Sequence, residues 1–290
     1  MTDPLTVGQP AIVVPEPGLY PDVPADVYHR WPAASQTVLK IMRDRSPAHA
    51  RQYMLTPPEP TPAMMLGQAI HAAILQPDVW ETQYLRGPEG DRRLKAVREA
   101  WEAMEAANPC AIILRPEDYD TCLAIRNAVY AHPIAKKLLG GESERSVVWR
   151  DRETGVLCKG RFDHINLRMG TITDLKTTED ASPKSFQRTI WTYGYHMQGG
   201  FYMDASEVHD LGIEFYTIIA VEKQPPYAVA VYQLSPEAIQ AGRQELRPLL
   251  RQWAECERTG YWPAYPLEAV EISLPDWAWR QLEQGVPSNG

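Results

Sequence analysis

The spacing of hydrophobic positions divides the chain into a mainly helical first half and a second half that contains strands. Leu66, Ile70 and Ala73 lie three or four positions apart, which is the spacing of one buried helix face. After Ser143 the pattern changes to short runs rich in β-branched residues, which favour strands. The predicted strands are 146–150, 156–165, 171–176, 214–221 and 228–234.

Helices are predicted on both sides of these strands along the chain. Before the strands, helical spacing occurs at about 35–54, 63–75, 92–107 and 116–130. Ser182-Pro183 and Ser235-Pro236 predict two further helices, at 185–205 and 235–259, because serine caps a first turn and proline fits its first position. This order predicts an α/β fold with a mixed sheet of about five strands, flanking helices and a helical N-terminal region.

Proline-rich stretches set the predicted limits of the folded part. Residues 1–34 contain many prolines and little periodicity, which predicts an extended arm. Residues 56–62 are also proline-rich, but their flanks are too short to fold alone, so we interpret them as a linker or rim loop. The last residues, 266–290, are predicted to form a tail that wraps the surface. Between arm and tail we expect one domain, 35–265, with a helical part at 35–140 and a sheet-containing part at 143–260.

The composition is that of a globular protein. The 290 residues are 44% hydrophobic and 23% charged, and a chain of this length can bury a core and hold a cleft. The sequence has no run of about 18 apolar residues, and its first residues lack the basic and apolar segments of a secretory signal. We therefore expect a cytoplasmic protein without a membrane association.

The net charge gives an ambiguous indication about partners. A charge of −8 and a pI near 5.4 count against a nucleic-acid-binding protein. Basic residues nevertheless cluster within residues 145–161. They are Arg145, Arg150, Arg152, Lys159 and Arg161. The cluster can represent a basic groove on an acidic body or ordinary solvated surface charge, and the sequence leaves both interpretations open.

The four cysteines do not predict a thiolate metal site. They are Cys110, Cys122, Cys158 and Cys256. They form no C-x-x-C pair and have no grouped histidines, which argues against zinc and against an iron–sulfur cluster. We expect them to be reduced and structural.

Three ionisable side chains are predicted to converge at the centre of the sheet. Side chains alternate between the faces of a strand, so Asp174 and Lys176 point the same way. The connection at 166–170 is short enough to make the strands on either side of it antiparallel neighbours. This pairing can bring Asp163 beside Asp174, so two carboxylates and one amine would meet at one point.

Such a group has the chemistry of a metal-dependent phosphodiesterase. Two buried carboxylates repel each other unless a cation joins them, and oxygen ligands without thiolates select Mg²⁺ or Mn²⁺. The ion could polarise a phosphodiester, and Lys176 could orient the attacking water or offset charge on the phosphate. The backbone carbonyl of Leu175 is a further candidate ligand. The alternative is an exposed hairpin with an ordinary aspartate–lysine pair.

The order of short motifs resembles a known family. Gly160-Arg161-Phe162-Asp163 followed by Thr173-Asp174-Leu175-Lys176-Thr177 resembles the PD-(D/E)xK nuclease superfamily, in particular its RecB-like and exonuclease VIII (RecE-type) branch, which includes lambda-type exonucleases. Further segments resemble the same branch. They are Ser46-Pro47-Ala48-His49, Gly67-Gln68-Ala69-Ile70-His71, Tyr130-Ala131-His132-Pro133, Gln198-Gly199-Gly200-Phe201-Tyr202, and Val221-Glu222-Lys223 with Pro225-Pro226-Tyr227. The resemblance implies a restriction-endonuclease-like core, although Phe162 stands where the superfamily name has proline.

The resemblance also implies roles for individual residues. Asp163 and Asp174 would bind the metal, and Lys176 would serve the nucleophilic water. His71 would be a metal ligand that an upstream helix presents. Glu144 would be a further ligand, with Glu142 as an alternative for the same position.

A second implied group contacts the DNA. Gln198 and Tyr202 match a Q-x-x-x-Y motif whose polar groups flank the metal and contact the scissile phosphate; they complete the predicted catalytic set with Asp163, Asp174 and Lys176. The alternative is a solvated glutamine and a tyrosine packed in the core. The candidates for binding DNA outside this set are Arg161, Lys184, Arg188 and Tyr195.

The implied activity is Mg²⁺-dependent exonuclease action on duplex DNA ends, 5′ to 3′, in phage-type recombination. A RecT-like single-strand annealing protein is the implied partner, and a ring-shaped homo-oligomer is known in that branch. One alternative is a RecB-like endonuclease or a CRISPR-adaptation nuclease; the latter often carries an iron–sulfur cluster, which the scattered cysteines do not favour. Another alternative is a non-catalytic DNA-binding protein on the same fold.

Overall fold

A six-stranded mixed sheet forms the centre of the protein in this computed structural model, which describes residues 14–283. The strands are β1 Gly18–Tyr20, β2 Tyr84–Arg86, β3 Ile112–Leu114, β4 Glu142–Arg150, β5 Leu157–Asn166, β6 Thr171–Thr178, β7 Phe215–Glu222 and β8 Val229–Gln233. The sheet has the order β1-β4-β5-β6-β7-β8, while β2 and β3 pair separately. All neighbours in the six-stranded sheet are antiparallel except β6 and β7, which are parallel. The predicted mixed sheet is confirmed, with one strand more than expected.

Helices cover both faces of this sheet. The helices are α1 Ala25–Arg30, α2 Gln36–Asp44, α3 Pro47–Leu55, α4 Pro62–Leu75, α5 Pro77–Gln83, α6 Lys95–Ala107, α7 Pro116–Ala131, α8 Pro133–Leu138, α9 Pro183–Tyr193, α10 Tyr195–Val208, α11 Pro236–Thr259 and α12 Asp276–Glu283. Alternate residues of β7 belong to two separate cores: Ile218 packs in the core formed with α10 and α11, and Ile219 packs in the core formed with α4 and α7. A strand buried on both faces reads as an unbroken apolar run, as 218–221 does. None of the helices among residues 14–283 has an apolar stretch long enough to cross a bilayer.

The N-terminal segment differs from the predicted extended arm. Residues 1–13 lie outside the described residues, but 14–34 contain β1, which pairs with β4, and helix α1. Lys159 holds the end of α1: its buried Nζ donates hydrogen bonds to the carbonyl oxygens of Tyr28, His29 and Trp31, at 2.9, 2.9 and 2.8 Å. An ammonium group is favourable there because the carbonyl end of a helix carries partial negative charge. The proline-based prediction of an arm is therefore wrong for this part.

We expect Lys159→Met to lower the free energy of unfolding by about 2–4 kcal/mol, because it leaves two buried carbonyl oxygens and one partly buried carbonyl oxygen without their donor. Urea denaturation followed by circular dichroism measures this change. Lys136→Met, at an exposed position of α8, is the matched control and should change the free energy by less than about 0.5 kcal/mol. Equal stabilities of the two variants would contradict this role for Lys159.

One predicted helix is two helices in the structure. The sequence predicts a continuous helix at 185–205, but Gly194 adopts a left-handed conformation with φ of +67° and separates α9 from α10. Glycine tolerates this conformation because it has no Cβ. The two helices differ in burial. Only Phe186 of α9 is buried, whereas most residues of α10 are buried against the sheet.

The C-terminal segment is more exposed than the predicted wrapping tail. Tyr265 contacts His49 of α3, with ring centroids 5.6 Å apart, so the start of the segment does lie on the surface. Beyond it the chain forms α12, which has no buried residue, and Leu267 is 96% exposed. Residues 284–290 of the predicted tail lie outside the described residues.

Candidate active site and metal centre

Strand pairing places the two aspartates next to each other. β5 and β6 are antiparallel, as predicted, with His164 paired to Thr173 and Ile165 to Ile172. The same register places Asp163 opposite Asp174. The carboxylate of Asp163 accepts a hydrogen bond from the backbone N–H of Leu175 at 2.9 Å, which fixes its side chain between the two strands.

Asp174 is the most deeply buried of the predicted catalytic residues. Its side chain is 1% exposed; Oδ1 accepts a hydrogen bond from Gln198 Nε2 at 2.6 Å, and Oδ2 lies 2.7 Å from Nζ of Lys176. Burial raises the pKa of Asp174 to about 7, although Lys176 opposes the shift. Burial by itself would lower the pKa of Lys176, but the carboxylates of Asp174 and Asp163 outweigh it and raise that pKa.

A second group of ligands surrounds Asp163. His71 comes from α4 and Glu144 from β4. One ring nitrogen of His71, one carboxylate oxygen of Glu144 and one carboxylate oxygen of Asp163 all lie within 4.8 Å of one another. Glu144 reaches this place because its neighbours Ser143 and Arg145 pair with His164 and Phe162, so that it stands opposite Asp163. Its backbone has φ of +53°, an unusual conformation for a residue other than glycine that often marks functional sites.

The protonation behaviour of this group follows from its crowding. Burial raises the pKa of Glu144 to about 8, and the nearby charge of Asp163 adds to the rise, while Arg161 opposes it from 3.9 Å. Burial lowers the pKa of His71, which favours the neutral imidazole that can bind a metal. The backbone of Leu175, the residue predicted to offer a carbonyl ligand, lies near the His71 ring and opposes this lowering of its pKa.

The group fits a divalent cation. One imidazole nitrogen and two carboxylate oxygens lie close enough to share an ion, and the raised pKa of Glu144 shows that its negative charge lacks sufficient compensation. Oxygen-rich ligand sets with one imidazole suit Mn²⁺ and Mg²⁺ better than soft metals. His71, Glu144 and Asp163 would hold the ion, with Asp174 immediately beside them.

We expect a divalent ion to raise the melting temperature more at about pH 8 than at about pH 5. The folded pKa values of Glu144 and Asp174 lie above the ordinary values of 4.5 and 3.8, so the metal-free folded state binds more protons than the unfolded state in this range. Its stability therefore falls as pH rises from about 4 to about 8, while the ligands become free to bind metal.

Calorimetry with Mn²⁺ or with EDTA at the two pH values measures the effect, which we expect to reach about 5–10 °C at saturating metal. Glu144→Gln is the informative comparison, because it removes one titrating ligand and should reduce both the pH dependence of the metal-free protein and the metal-induced shift. Metal shifts that do not differ between the two pH values would count against this assignment.

The structure brings some of the other predicted residues into the site and separates others. Gln198 contacts Asp174 directly and is buried, so it is not the solvated residue of the alternative interpretation. Tyr202 is also buried; its ring packs edge-on against Phe162 at 5.2 Å and over Gly160, in the core. Glu142, the alternative to Glu144, is 55% exposed and pairs with Arg145 instead.

The predicted DNA-binding residues occupy different environments. Arg161 is only 14% exposed, and it donates hydrogen bonds to the Val23 carbonyl at 2.7 Å and to Ser146 Oγ at 3.0 Å. These bonds hold the N-terminal segment, so Arg161 and Lys159 anchor chain segments instead of lining the basic groove that their cluster suggested. The physical reason is that the N–H groups of these two side chains donate hydrogen bonds to nearby carbonyl and hydroxyl oxygens.

The remaining candidates lie around α9. Lys184 and Arg188 are exposed on this helix. Tyr195, at the start of α10, is half-buried, and its ring centroid lies 4.9 Å from Nζ of Lys176. The side chain of Tyr195 therefore belongs to the wall of the site.

Two residues near the site were not predicted from the sequence. Tyr216 of β7 is buried close enough to Asp174 to affect the pKa of its carboxyl group, and Lys40 of α2 is close enough to Lys176 for the two charges to affect each other. The pairing of β7 beside β6 could have indicated Tyr216. No local signal distinguishes Lys40, which lies between Leu39 and Ile41 of an amphipathic helix.

Comparisons with known proteins support the fold. A family model described as "PDDEXK-like domain of unknown function (DUF3799)" matches residues 35–272. A crystal structure of a protein from Eubacterium rectale, provisionally described as an exonuclease, superposes with a TM-score of 0.56 at 12% identity, over 84% of this chain and 91% of that chain. The crystal structure of SSO0001 matches 65% of this chain and 84% of its own at 16% identity, with a TM-score of 0.30 that is too low to support an argument. A search of curated proteins found no significant match.

Proposed function

Because the chain belongs to this PDDEXK-like family, within the PD-(D/E)xK nuclease superfamily, we propose that it is a metal-dependent DNA exonuclease that acts on duplex ends. The observation that carries the proposal is the convergence of Asp163, Asp174 and Lys176 beside a group of ligands that can hold a divalent ion. A merely structural ion pair would not require a further histidine and glutamate at the same point.

The residues of the site have separate roles in this proposal. His71, Glu144 and Asp163 bind Mg²⁺ or Mn²⁺, which when bound polarises a phosphodiester and lowers the pKa of a water molecule. Lys176 orients the attacking water and offsets negative charge that develops on the phosphate. Gln198 holds the carboxylate of Asp174 in place at 2.6 Å.

The finer parts of the proposal derive from the resemblance to exonuclease VIII and lambda-type enzymes. They are the 5′-to-3′ direction, the role in phage-type recombination, the RecT-like partner, a ring-shaped homo-oligomer and a cytoplasmic location. The exposed apolar side chains after Tyr265 are compatible with a protein partner, but they do not identify one.

A comparison of linear and closed circular duplex DNA tests the proposed activity. The two substrates are incubated with the protein in Mg²⁺, in Mn²⁺ or in EDTA, with one strand labelled at either its 5′ or its 3′ end. We expect loss of linear DNA only, in either metal, with release of the 5′ label first. Cutting of circles would favour an endonuclease, and binding without any cutting would favour a non-catalytic protein.

A further inference from the structure

Helix α9 presents a positively charged surface on an acidic protein. The helix contains no acidic residue, although the whole chain has a net charge of −8. Lys184 and Arg188 make no ion pair or hydrogen bond with any residue within 14–283. They lie on one exposed side of the helix together with Gln187, Trp191 and Thr192. These five residues constitute what we call the α9 face.

Trp191 is the main apolar group of the α9 face, and it is held rigidly. Its side chain is 68% exposed, so most of the indole is accessible to a ligand. One face of the indole stacks on His196, with ring centroids 5.3 Å apart and an angle of 12°. His196 is itself fixed by Glu245 of α11 at 2.8 Å. The opposite face of the indole is therefore a preorganised flat surface open to solvent.

A second pair of aromatic rings lies between the C-terminal end of α9 and the site. Tyr193, which is 54% exposed, stacks on Tyr195 with ring centroids 5.8 Å apart and an angle of 20°. Tyr195 in turn lies against the ammonium group of Lys176. Lys40 donates a hydrogen bond to the Tyr193 carbonyl at 2.8 Å and places its charge 5.5 Å from the ring. The two stacked rings thus lie between the ammonium group of Lys40 near the surface and that of Lys176 in the site.

We propose that the α9 face and the Tyr193–Tyr195 pair bind a DNA strand with unpaired bases and lead it to the site. Unpaired bases stack on aromatic rings whatever their sequence, and phosphates bind nearby cations. Trp191 and Tyr193 would carry bases, while Lys184, Arg188 and Lys40 would contact phosphates. In a duplex the base faces are already stacked and cannot reach the indole. This inference rests on the proposed function, because it names the form of DNA that enters the same site.

Binding of a fluorescent oligothymidine in EDTA, measured by anisotropy, tests the inference without requiring cleavage. We expect Trp191→Ala to weaken binding about tenfold or more, because one base–aromatic stack has that effect. Trp191→Phe should recover part of the loss, since it keeps a smaller ring. Trp279→Ala is the matched control: Trp279 is 47% exposed on α12, outside the α9 face, and its removal should change the affinity less than twofold.

The salt dependence of binding tests the role of Lys184 and Arg188. The double variant Lys184→Gln, Arg188→Gln should reduce the slope of log affinity against log salt concentration by about 1.4, because each phosphate contact on a single strand contributes about 0.7. A control pair on α6, Lys95→Gln with Arg98→Gln, should leave the slope unchanged; both residues there pair with glutamates of the same helix.

The outcomes separate this inference from the proposed function. If Trp191→Ala binds oligothymidine as tightly as Trp279→Ala, or if its affinity for a blunt duplex falls by the same factor, the inference is overturned even when the wild-type protein cleaves DNA. If the wild-type protein binds oligothymidine through Trp191 but degrades no DNA in Mg²⁺ or Mn²⁺, the inference stands and the proposed activity fails.

Discussion

Asp174→Asn is expected to reduce metal-dependent DNA cleavage to below about a thousandth of the wild-type rate while leaving the fold intact. Asparagine keeps the shape of the side chain, and its oxygen can still accept the hydrogen bond from Gln198. It removes the negative charge that faces Lys176 and the neighbouring ligand group. The charge is the part of the residue that a divalent ion and its water require, so the chemistry should be lost with little change in packing.

Stability distinguishes this result from simple unfolding. Asp174 is 1% exposed and is one of the two carboxylates that compensate the buried ammonium group of Lys176. Asparagine leaves Asp163 as the remaining counter-charge, so the melting temperature should fall by several degrees while unfolding stays cooperative.

Single-turnover cleavage of an end-labelled linear duplex measures the rate, and circular dichroism measures the melting temperature. Asp276→Asn, in the exposed first turn of α12, is the matched control and should retain wild-type cleavage. A rate for Asp174→Asn within tenfold of the wild type, in either metal, would remove Asp174 from the catalytic set.

The sequence could predict the centre of the site because the period of a strand is strict. Residues that are two positions apart on a strand share a face, and a short connection makes two strands antiparallel. These two rules together place Asp163, Asp174 and Lys176 close to one another. The same rule could not choose between Glu142 and Glu144. These two glutamates are also two positions apart and share a face of β4. Only the register of β4 against β5, which depends on residues distant in sequence, places Glu144 opposite Asp163.

Both interpretations of the basic cluster, a groove and solvated surface charge, are wrong for Lys159 and Arg161, for a related reason. Lys159 and Arg161 look like surface charges in the sequence, but their partners are carbonyl oxygens between Val23 and Trp31, about 130 positions earlier. The sequence shows where charged residues are, but it does not indicate that carbonyl groups at the end of a distant helix are available as acceptors. Burial of Lys159, which lowers its pKa to about 8, is therefore visible only in the fold.

Lys176→Met is expected to separate metal binding from cleavage. In the metal-free protein Lys176 is the counter-charge of Asp174 and also compensates Asp163. Methionine keeps a long apolar side chain but leaves these carboxylates facing each other without that charge, so the metal-free variant should be less stable than the wild type above about pH 7. A divalent ion should restore this stability, and the rise in melting temperature with Mn²⁺ should be larger than in the wild type.

Cleavage by Lys176→Met should nevertheless stay at least about a hundredfold below the wild-type rate in saturating Mn²⁺, because the ion replaces the counter-charge but not the group that orients the water. Lys136→Met on α8 serves as the control for the loss of a lysine. Calorimetry and single-turnover cleavage on the same samples give the two readouts. If Lys176 were only a structural counter-charge, metal would restore stability and cleavage together, so recovery of both would assign the water-orienting role to another residue.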